Sequence, residues 1–239
     1  MRRFYAPIES FGNDVVMFDA DETRHLRDVL RLKTGEEVSV FNGIGHEFRC
    51  IVVEIEKKRS SLKVIEETVP ASPESAFEIT VAPTILNGEK YDLIIQKAVE
   101  LGVTRLIPLH TLRCDVKLKD SVKRLDRWRR IALEATKQSG RAKLMEISEP
   151  ESFDKLIANS KDDPIVLFSE RDGGSFSKIK KGKNLTVIFG PKGGWDDSEL
   201  ELAAKNDITI VTLGGRVLRA ETASIAITAI LQHRFGDLN

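Results

Sequence analysis

The sequence predicts two parts, a small all-β domain followed by an α/β domain with a mainly parallel sheet. Three observations indicate this. Short apolar runs separated by turn signals fill residues 1–70, strand-like and helix-like segments alternate from residue 75 onward, and three later strands are almost continuously apolar. Pro70 and Pro73, among small polar residues, indicate a linker. We therefore expect domains over residues 1–70 and 75–239.

The first domain is expected to form a small barrel or sandwich from four strands. Its strands are the runs "VVMF", "EVSVF", "EFRCIVVEI" and "SLKVIEE". The pair Asn42-Gly43, between the second and third runs, is typical of a tight hairpin turn.

The second domain is predicted to alternate five strands with helices. Its strands are the runs "FEITVAPTIL", "RLIPLHT", "DPIVLFSE", "NLTVIFG" and "DITIVTLGG". The first helix is expected to begin at Asn87 as its N-cap and to end at Gly102, and the second to run from Ser121 to near Gly140. The side chains that this second helix is expected to bury are Val122, Leu125, Trp128, Ala132 and Ala135.

Two more helices are predicted towards the end of the chain. Asp196 and Glu199 have the spacing of a capping box, which indicates a helix start. The last helix covers "ETASIAITAILQHRF" and is expected to end at Gly236.

Composition favours an ordinary globular protein, since 41% of the 239 residues are hydrophobic and 31% are charged. The N-terminus has no apolar signal-peptide region and no apolar run is long enough to span a bilayer, so a cytoplasmic location is expected. Cys50 and Cys114 are far apart and lack histidines at ligand spacing. We expect both thiols to be buried, and we expect neither a disulfide nor a metal site.

Charge is balanced overall but not locally. Thirty-seven basic and 37 acidic residues give a net charge of +0. Residues 113–143, however, carry eleven basic and four acidic side chains. This basic segment is expected either to follow the phosphates of a nucleic acid or to be a solvated helix face without a partner.

Two strands of the second domain end in glycine loops, in "VIFGPKGGW" and "VTLGGRVLRAETAS". Neither loop has the spacing of a P-loop or of a dinucleotide fingerprint. Because ligands of open α/β sheets bind outside the carboxyl ends of strands, the two loops predict a pocket made largely of backbone. Such a pocket suits a nucleoside without an obligatory phosphate; the alternative is that the glycines only form tight turns.

Five motifs carry a resemblance to a known family: "HLRDVLR", "IIQKAVELGV", "RWRRIALEATKQSGR", "FGPKGG" and "LGGRVLRAETA". They resemble the bacterial small-subunit rRNA uracil-N3 methyltransferases of the SPOUT superfamily. The resemblance implies a PUA-like β-barrel, then a SPOUT domain with a deep trefoil knot, S-adenosylmethionine as methyl donor, and a homodimer. It also implies methylation of N3 of uridine 1498, in standard numbering, of 16S rRNA in the small ribosomal subunit.

One residue departs from the family pattern. Lys192 stands where the glycine loop of the family usually has glutamate, which reverses the local charge. We expect this lysine either to meet RNA phosphate or to lie without a role at the rim of the pocket.

The resemblance also implies which residues form the cofactor pocket. They lie at the ends of three strands and in the two glycine loops: Leu167, Phe168, Ser169, Phe189, Gly190, Pro191, Lys192, Gly193, Gly194, Leu213, Gly214, Val217, Leu218 and Thr222. Arg219 is expected to stabilise negative charge on the uracil oxygens. Glu221 is expected either to accept a proton or, in the first turn of a helix, to stabilise the helix terminus.

The residues expected to contact RNA are basic side chains in matching motifs and in the basic segment: Arg2, Arg3, His25, Arg27, Arg31, Lys97, Arg113, Arg124, Arg127 and Arg141. His25 is equally compatible with a place in the core of the first domain. Two functions of other classes remain compatible with the sequence: an RNA-binding protein without catalysis, and a nucleotide-binding enzyme whose glycine loops hold phosphate.

Overall fold

The computed structural model describes residues 2–159 and 164–238, except for the side chain of Leu118. The chain divides into two compact units. Unit 1 comprises residues 1–74 and 136–144, and unit 2 comprises residues 75–135 and 145–239. The break after residue 74 lies close to the predicted linker, whereas the assignment of residues 136–144 to unit 1 was not predicted.

Unit 1 is built on one curled six-stranded sheet. Its strands are β1 (Arg3–Tyr5), β2 (Phe11–Gly12), β3 (Val15–Phe18), β4 (Glu37–Phe41), β5 (Glu47–Ile55) and β6 (Ser60–Thr68). They lie in the order β1-β4-β5-β6-β3-β2, with β1 parallel to β4 and every other pair antiparallel. The four predicted runs correspond to β3, β4, β5 and β6.

A short helix covers one side of the core of unit 1. Helix α1 (Ala20–Arg24) begins at Asp19, whose side chain accepts hydrogen bonds from two backbone N–H groups of the first turn, and it continues into a π-helical turn over His25–Val29. Leu26 from this turn is buried among Phe4 and other apolar side chains of the sheet. Buried side chains of β3, β4, β5 and β6 complete the apolar core of unit 1.

Arg3 is part of the internal structure of unit 1. Its guanidinium donates two hydrogen bonds of 2.9 Å to the carboxylate of Glu47, and others to the carbonyl oxygens of Thr136 (3.0 Å) and Arg141 (2.6 Å). Burial would raise the pKa of Glu47, but the hydrogen bonds from Arg3 and a neighbouring serine lower it below its ordinary value. This bidentate ion pair fixes residues 136–144 to β1 and β5.

Arg141 is fixed in the same way. Its side chain is 3% exposed and donates to Glu74 at 3.0 and 2.6 Å. Arg3 and Arg141 are therefore buried structural residues, and the prediction that they contact RNA does not fit their burial.

Unit 2 contains an entirely parallel six-stranded sheet, which confirms the predicted α/β class with a mainly parallel sheet. Its strands are β7 (Glu78–Pro83), β8 (Arg105–Leu106), β9 (Leu109–His110), β10 (Glu146–Ile147), β11 (Glu151–Ser152), β12 (Ile165–Phe168), β13 (Asn184–Phe189) and β14 (Thr209–Val211). The sheet order is β10-β8-β7-β13-β12-β14, and β9 pairs with β11 separately. The predicted strand "RLIPLHT" is thus divided into β8 and β9 around Pro108, which cannot donate a ladder hydrogen bond.

The helices of unit 2 pack on both sides of this sheet. They are α2 (Glu89–Glu100), α3 (Leu118–Val122), α4 (Leu125–Ser139), α5 (Phe153–Asn159), α6 (Asp197–Lys205) and α7 (Ala220–Phe235). The last turn of α4 belongs to unit 1. The predicted capping box of Asp196 with Glu199 is present, and α7 ends before Gly236 as expected.

Two predictions about the first helices of unit 2 are wrong: the N-cap of α2 and the burial of Val122. The N-cap of α2 is Gly88 and not Asn87, because this position has a φ of +64°, which favours glycine. Val122 is 49% exposed, because the chain leaves helical geometry after α3 and α4 begins anew at Leu125. The other four side chains expected on this face are buried: Leu125, Trp128, Ala132 and Ala135.

The two thiols differ in burial. Cys50 is buried, and desolvation raises its pKa to about 12, whereas Cys114 is only half-buried, contrary to expectation. Among residues 2–159 and 164–238 no cluster of three or more histidine, cysteine or acidic side chains could hold a metal ion. Within the same residues, no helix has the length and apolar character needed to cross a membrane.

Candidate active site

The loops after β12, β13 and β14 meet at the carboxyl edge of the parallel sheet. The last residues of these strands, Phe168, Phe189 and Val211, are aligned in register across the three neighbouring strands. Because aligned parallel strands end at one edge, the chain segments that follow them face a common space. This is the edge at which the sequence predicted a pocket.

Two cavities open between these loops. The first, of about 210 Å³, lies against the second glycine loop, and the second, of about 620 Å³, lies against the first glycine loop and the start of α7. They form one cleft, since seven residues line both: Phe168, Glu170, Gly190, Val217, Leu218, Ala220 and Ala223.

The first glycine loop is held close to the end of β12 by Trp195. This side chain is fully buried, and its indole Nε1–H donates a 2.9 Å hydrogen bond to the carbonyl oxygen of Phe168. A Cβ at Gly190 would lie 2.6 Å from Trp195 Nε1, and Gly194 has a φ of +74°. Both positions therefore require glycine, and the loop presents main chain to the cleft.

The second glycine loop is more open. A Cβ at Gly214 would meet no heavy atom within 4 Å. Val217 is 83% exposed and Leu218 is 37% exposed, although both are apolar. Exposed apolar side chains around a cavity suit a flat aromatic ring, so this part of the cleft could hold a nucleobase.

Charged groups gather at the larger cavity. The side chain of Arg219, the N-cap of α7, lies at the cavity, and its guanidinium makes neither an ion pair nor a hydrogen bond with the described residues. Glu221 instead pairs with Lys90, at 3.1 Å between Oε1 and Nζ. Burial would raise the pKa of Glu221, but its backbone hydrogen bond and Lys90 lower it below the ordinary value. The charge of Arg219 also lowers the pKa of Glu221, but its guanidinium has no direct partner and remains available at the mouth of this cavity.

Most of the predicted cofactor residues come together in the cleft. Those that line it are Phe168, Ser169, Phe189, Gly190, Pro191, Lys192, Gly193, Gly194, Leu213, Gly214, Val217 and Leu218. Two do not. Leu167 is fully buried on the opposite side of β12, and the side chain of Thr222 is exposed on α7 away from both cavities.

Sequence reasoning missed several residues that line the cleft, notably Glu170, Thr212, Arg216 and Lys90. Three of them immediately adjoin predicted residues, so extending each strand-end motif by one position would have found them. Lys90 lies in α2, more than 100 residues before the second glycine loop, and only the tertiary fold brings it to the site.

The predicted RNA-binding residues of unit 1 differ in availability. Arg31 is exposed, and Arg2 is exposed beside Glu36. Arg27 donates to Asp28 and to two backbone carbonyls. His25 is half-buried with its ring edge-on to Phe4, at 5.6 Å between centroids, so the core alternative fits it better.

In unit 2 the four predicted RNA-binding residues lie on four different helices or loops. Arg113 donates to the carbonyl oxygen of Gly193 at 3.3 Å and to the carboxylate of Asp196 at 3.1 Å, which ties it to the first glycine loop. The others are Lys97, which pairs with Glu100, Arg124, which is half-buried, and Arg127, which is exposed and pairs with Asp92.

Comparison with known proteins identifies the family. The family model for an RNA methyltransferase domain matches residues 73–232, and that for an RNA methyltransferase PUA domain matches residues 18–65. The chain belongs to the RNA methyltransferase family. This confirms the predicted class of enzyme and the PUA-like character of the first domain.

Relatives of this methyltransferase cover nearly its whole length. Ribosomal RNA small subunit methyltransferase E of Bacillus subtilis is 33% identical over 88% of this chain and 87% of its own. The enzyme of that name from Neisseria gonorrhoeae, solved with S-adenosylmethionine bound, superposes with a TM-score of 0.91 at 31% identity over 100% of both chains. A Legionella pneumophila protein solved with the same cofactor has a TM-score of 0.91 at 30% identity over 99% of both chains.

Proposed function

We propose that this methyltransferase transfers a methyl group from S-adenosylmethionine to N3 of uridine 1498 of 16S rRNA in the small ribosomal subunit. The observation that carries the proposal is the cleft at the carboxyl edge of the parallel sheet, where a backbone-lined cavity adjoins a cavity bordered by a free cation. Membership of the RNA methyltransferase family and the likeness to two S-adenosylmethionine-bound structures support it.

The cleft fits S-adenosylmethionine in its shape and chemistry. Open main chain at Gly214 and exposed apolar side chains at Val217 and Leu218 suit adenine in the smaller cavity. Gly190 and Gly194, where a Cβ would clash, leave the first loop close to the methionine moiety. The bound cofactor supplies an electrophilic methyl group on a sulfonium, so the chain has mainly to position the base in line with it.

Arg219 is the proposed catalytic residue. The N3–H of uridine is a weak acid with a pKa of roughly 9, so a site that stabilises the anion speeds its attack on the methyl group. A guanidinium without a protein partner, at the mouth of the larger cavity, can donate to the uracil oxygens as negative charge grows there. The alternative of a structural pair with Glu221 is disfavoured because Glu221 pairs with Lys90.

Glu221 is proposed to stabilise the start of α7 and not to act as the base. A carboxylate with a lowered pKa, paired with Lys90, binds a proton even less readily than an ordinary glutamate. Its position in the first helical turn is also favourable towards the helix dipole.

The pH dependence of stability tests this role of Glu221. A depressed pKa contributes stability that is present above the unfolded value of 4.5 and is lost as the pH falls through the folded value. Glu221→Gln should therefore lower the free energy of unfolding near pH 7 by about 1 kcal/mol or less, with the difference vanishing well below pH 4.5. Urea unfolding at several pH values measures it, with the exposed Glu89→Gln as control. A drop in the single-turnover transfer rate of about 100-fold would instead favour a general base.

The proposed RNA surface of unit 2 includes Arg113, Arg124, Arg127 and Lys192. Arg127 and Lys192 are exposed, and Lys192 lines the larger cavity, where a lysine could meet a phosphate beside the target nucleotide. In unit 1, Arg2, Arg27 and Arg31 remain proposed contacts. The uridine would have to leave its stack to reach the cleft.

Salt dependence tests the basic segment. Binding to small subunits should weaken steeply with salt, because phosphate contacts release counterions. The double variant Arg124→Glu/Arg127→Glu should make the slope of log K against log salt less steep. The expected change is that for the loss of about two phosphate contacts. Reversal of Lys180 and Lys181, which are exposed outside the segment, makes the same charge change as a control. Equal slopes in both double variants would identify the segment as a solvated face.

A homodimer in the cytoplasm is also proposed. Helix α7 carries an apolar stripe that faces away from the core, in which Ile230 is 41% exposed and Ile225, Ala226 and Ala229 are half-buried. A second copy packed on this stripe would cover it. Sedimentation equilibrium tests the assembly, and a monomer at micromolar concentration would contradict it.

The SPOUT knot belongs to the proposal as well. It is supported by the sheet order, in which β13 inserts between β7 and β12 while β14 returns to the other side of β12. A knotted chain stretched by its ends in optical tweezers should remain shorter than its full contour length.

Ligand preference separates this function from its two alternatives. Isothermal titration calorimetry should detect S-adenosylmethionine binding and no binding of ATP or NAD. Binding of ATP or NAD in preference would indicate a nucleotide-binding enzyme, and binding of RNA without S-adenosylmethionine would indicate an RNA-binding protein without catalysis.

A further inference from the structure

Glu170 lies where the two cavities of the cleft join. It follows Ser169 directly after β12, and it is one of the residues that line both cavities. On one side are the apolar side chains of Leu213 and Val217, and on the other are the charged groups of Lys90 and Arg219. A ligand that extends through the whole cleft must therefore pass this carboxylate.

The carboxylate has unused hydrogen-bonding capacity. Its side chain is only 33% exposed, yet neither oxygen accepts a hydrogen bond from any residue within the described ranges. The neighbouring cation, Nε of Arg171, lies 3.6 Å from Oε1, beyond hydrogen-bond distance. Both oxygens are therefore available to donors that a ligand in the cleft brings, and hydrogen bonds to a charged group are stronger than those between neutral groups.

The carboxylate lies between an anchored arginine and the first glycine loop. Arg171 is anchored by hydrogen bonds to the carbonyl oxygen of Trp195 (3.0 Å) and to the carboxylates of Asp197 (2.7 Å) and Asp172 (2.9 Å). On the other side, a Cβ at Gly194 would lie 2.6 Å from Glu170 Oε1. The carboxylate therefore lies close to the main chain of the first glycine loop and beside a guanidinium whose own position is fixed.

We propose that Glu170 binds the 2′ and 3′ hydroxyl groups of the ribose of S-adenosylmethionine. This inference rests on the proposed function. The ribose is the part of the cofactor between the adenine and the methionine moiety, so it must lie where the apolar and charged cavities join. Two vicinal hydroxyls match the two oxygens of a carboxylate, and an acidic residue reads a ribose diol in the same way in dinucleotide-binding folds.

The test uses S-adenosylhomocysteine, because it has the same ribose without the positive sulfonium that any carboxylate would attract. Calorimetry should find binding to Glu170→Ala weakened by about 10- to 100-fold, as expected for hydrogen bonds to a charged group. The 2′,3′-dideoxy analogue should bind the wild-type protein with a similar loss. Combining variant and analogue should add little further, since both changes remove the same contact. Glu170→Gln, which keeps one acceptor oxygen, should lose less.

Other outcomes overturn the assignment in distinct ways. Additive losses from the variant and the analogue would mean that Glu170 does not contact the diol. A loss with S-adenosylhomocysteine that disappears with 5′-methylthioadenosine, which has the diol but no amino acid, would identify the methionine ammonium as the partner. Normal affinity in a folded Glu170→Ala enzyme that still transfers methyl groups would overturn this inference alone, whereas no binding to the wild-type protein would overturn the proposed function with it. Thermal unfolding of each variant verifies that it is folded.

Discussion

Arg219→Ala is expected to lower the single-turnover rate of methyl transfer by about 100- to 1,000-fold while the affinity for S-adenosylmethionine changes little. A rate loss of this size matches removal of one strong donor to the developing charge of a transition state. Cofactor affinity should persist because the glycine loops, and not the exposed guanidinium, form the adenosine part of the cleft.

The appropriate control is Arg59→Ala, which removes an exposed arginine outside the cleft and outside the proposed RNA contacts. It should leave the transfer rate within about tenfold of the wild-type rate. Measuring the rate, the dissociation constant and the sedimentation profile of each variant separates catalysis from folding and assembly. A near-normal rate in a correctly assembled Arg219→Ala variant would refute the catalytic role.

Gly194→Val is expected to abolish detectable cofactor binding. A valine Cβ would sit 2.6 Å from Glu170 Oε1, and the φ of +74° is strained for a β-branched residue. Both the first glycine loop and the carboxylate that faces it would have to move, and the cleft would lose its shape.

Backbone strain alone should not have this effect. Gly35 has a φ of +90° and open space around its Cβ position, so Gly35→Val introduces comparable strain in unit 1 without touching the cleft. It should reduce stability but retain binding in calorimetry. If Gly194→Val folds and binds S-adenosylmethionine with unchanged affinity, the pocket lies elsewhere.

Local sequence signals predicted the long strands of both units, but not β1, β2, β10, β11, α1 or α5. Period-2 and near-continuous apolar runs identified β3 to β6 and the central strands of unit 2, because burial of one or both sheet faces imposes those patterns. The glycine loops identified the cleft for a related reason, since close backbone approach at Gly190 and Gly194 excludes any side chain. These features depend on neighbours in the sequence or on burial alone.

Properties that depend on distant contacts could not be predicted in this way. Arg3 and Arg141 have the same residue type as surface arginines, and only the fold brings them to Glu47 and Glu74. Lys90 reaches the site for the same reason.

The repeat of apolar residues also did not predict where a helix is interrupted. The apolar period continues from Val122 to Leu125 although α3 ends at Val122, so the periodicity predicted one continuous helix and burial of a side chain that is exposed. A repeat of apolar residues indicates which face of a helix is buried, but the residue at which the helix ends depends on caps and on packing.

Methyl transfer to the small subunit tests the central claim most directly. The protein is incubated with S-adenosylmethionine labelled on the methyl group and with small subunits from cells lacking the gene, and the rRNA is digested to nucleosides. We expect label in 3-methyluridine, at one methyl group per subunit. We expect none when Arg219→Ala replaces the wild type for the same short time. Label in a different nucleoside, or no label although S-adenosylmethionine binds, would contradict it.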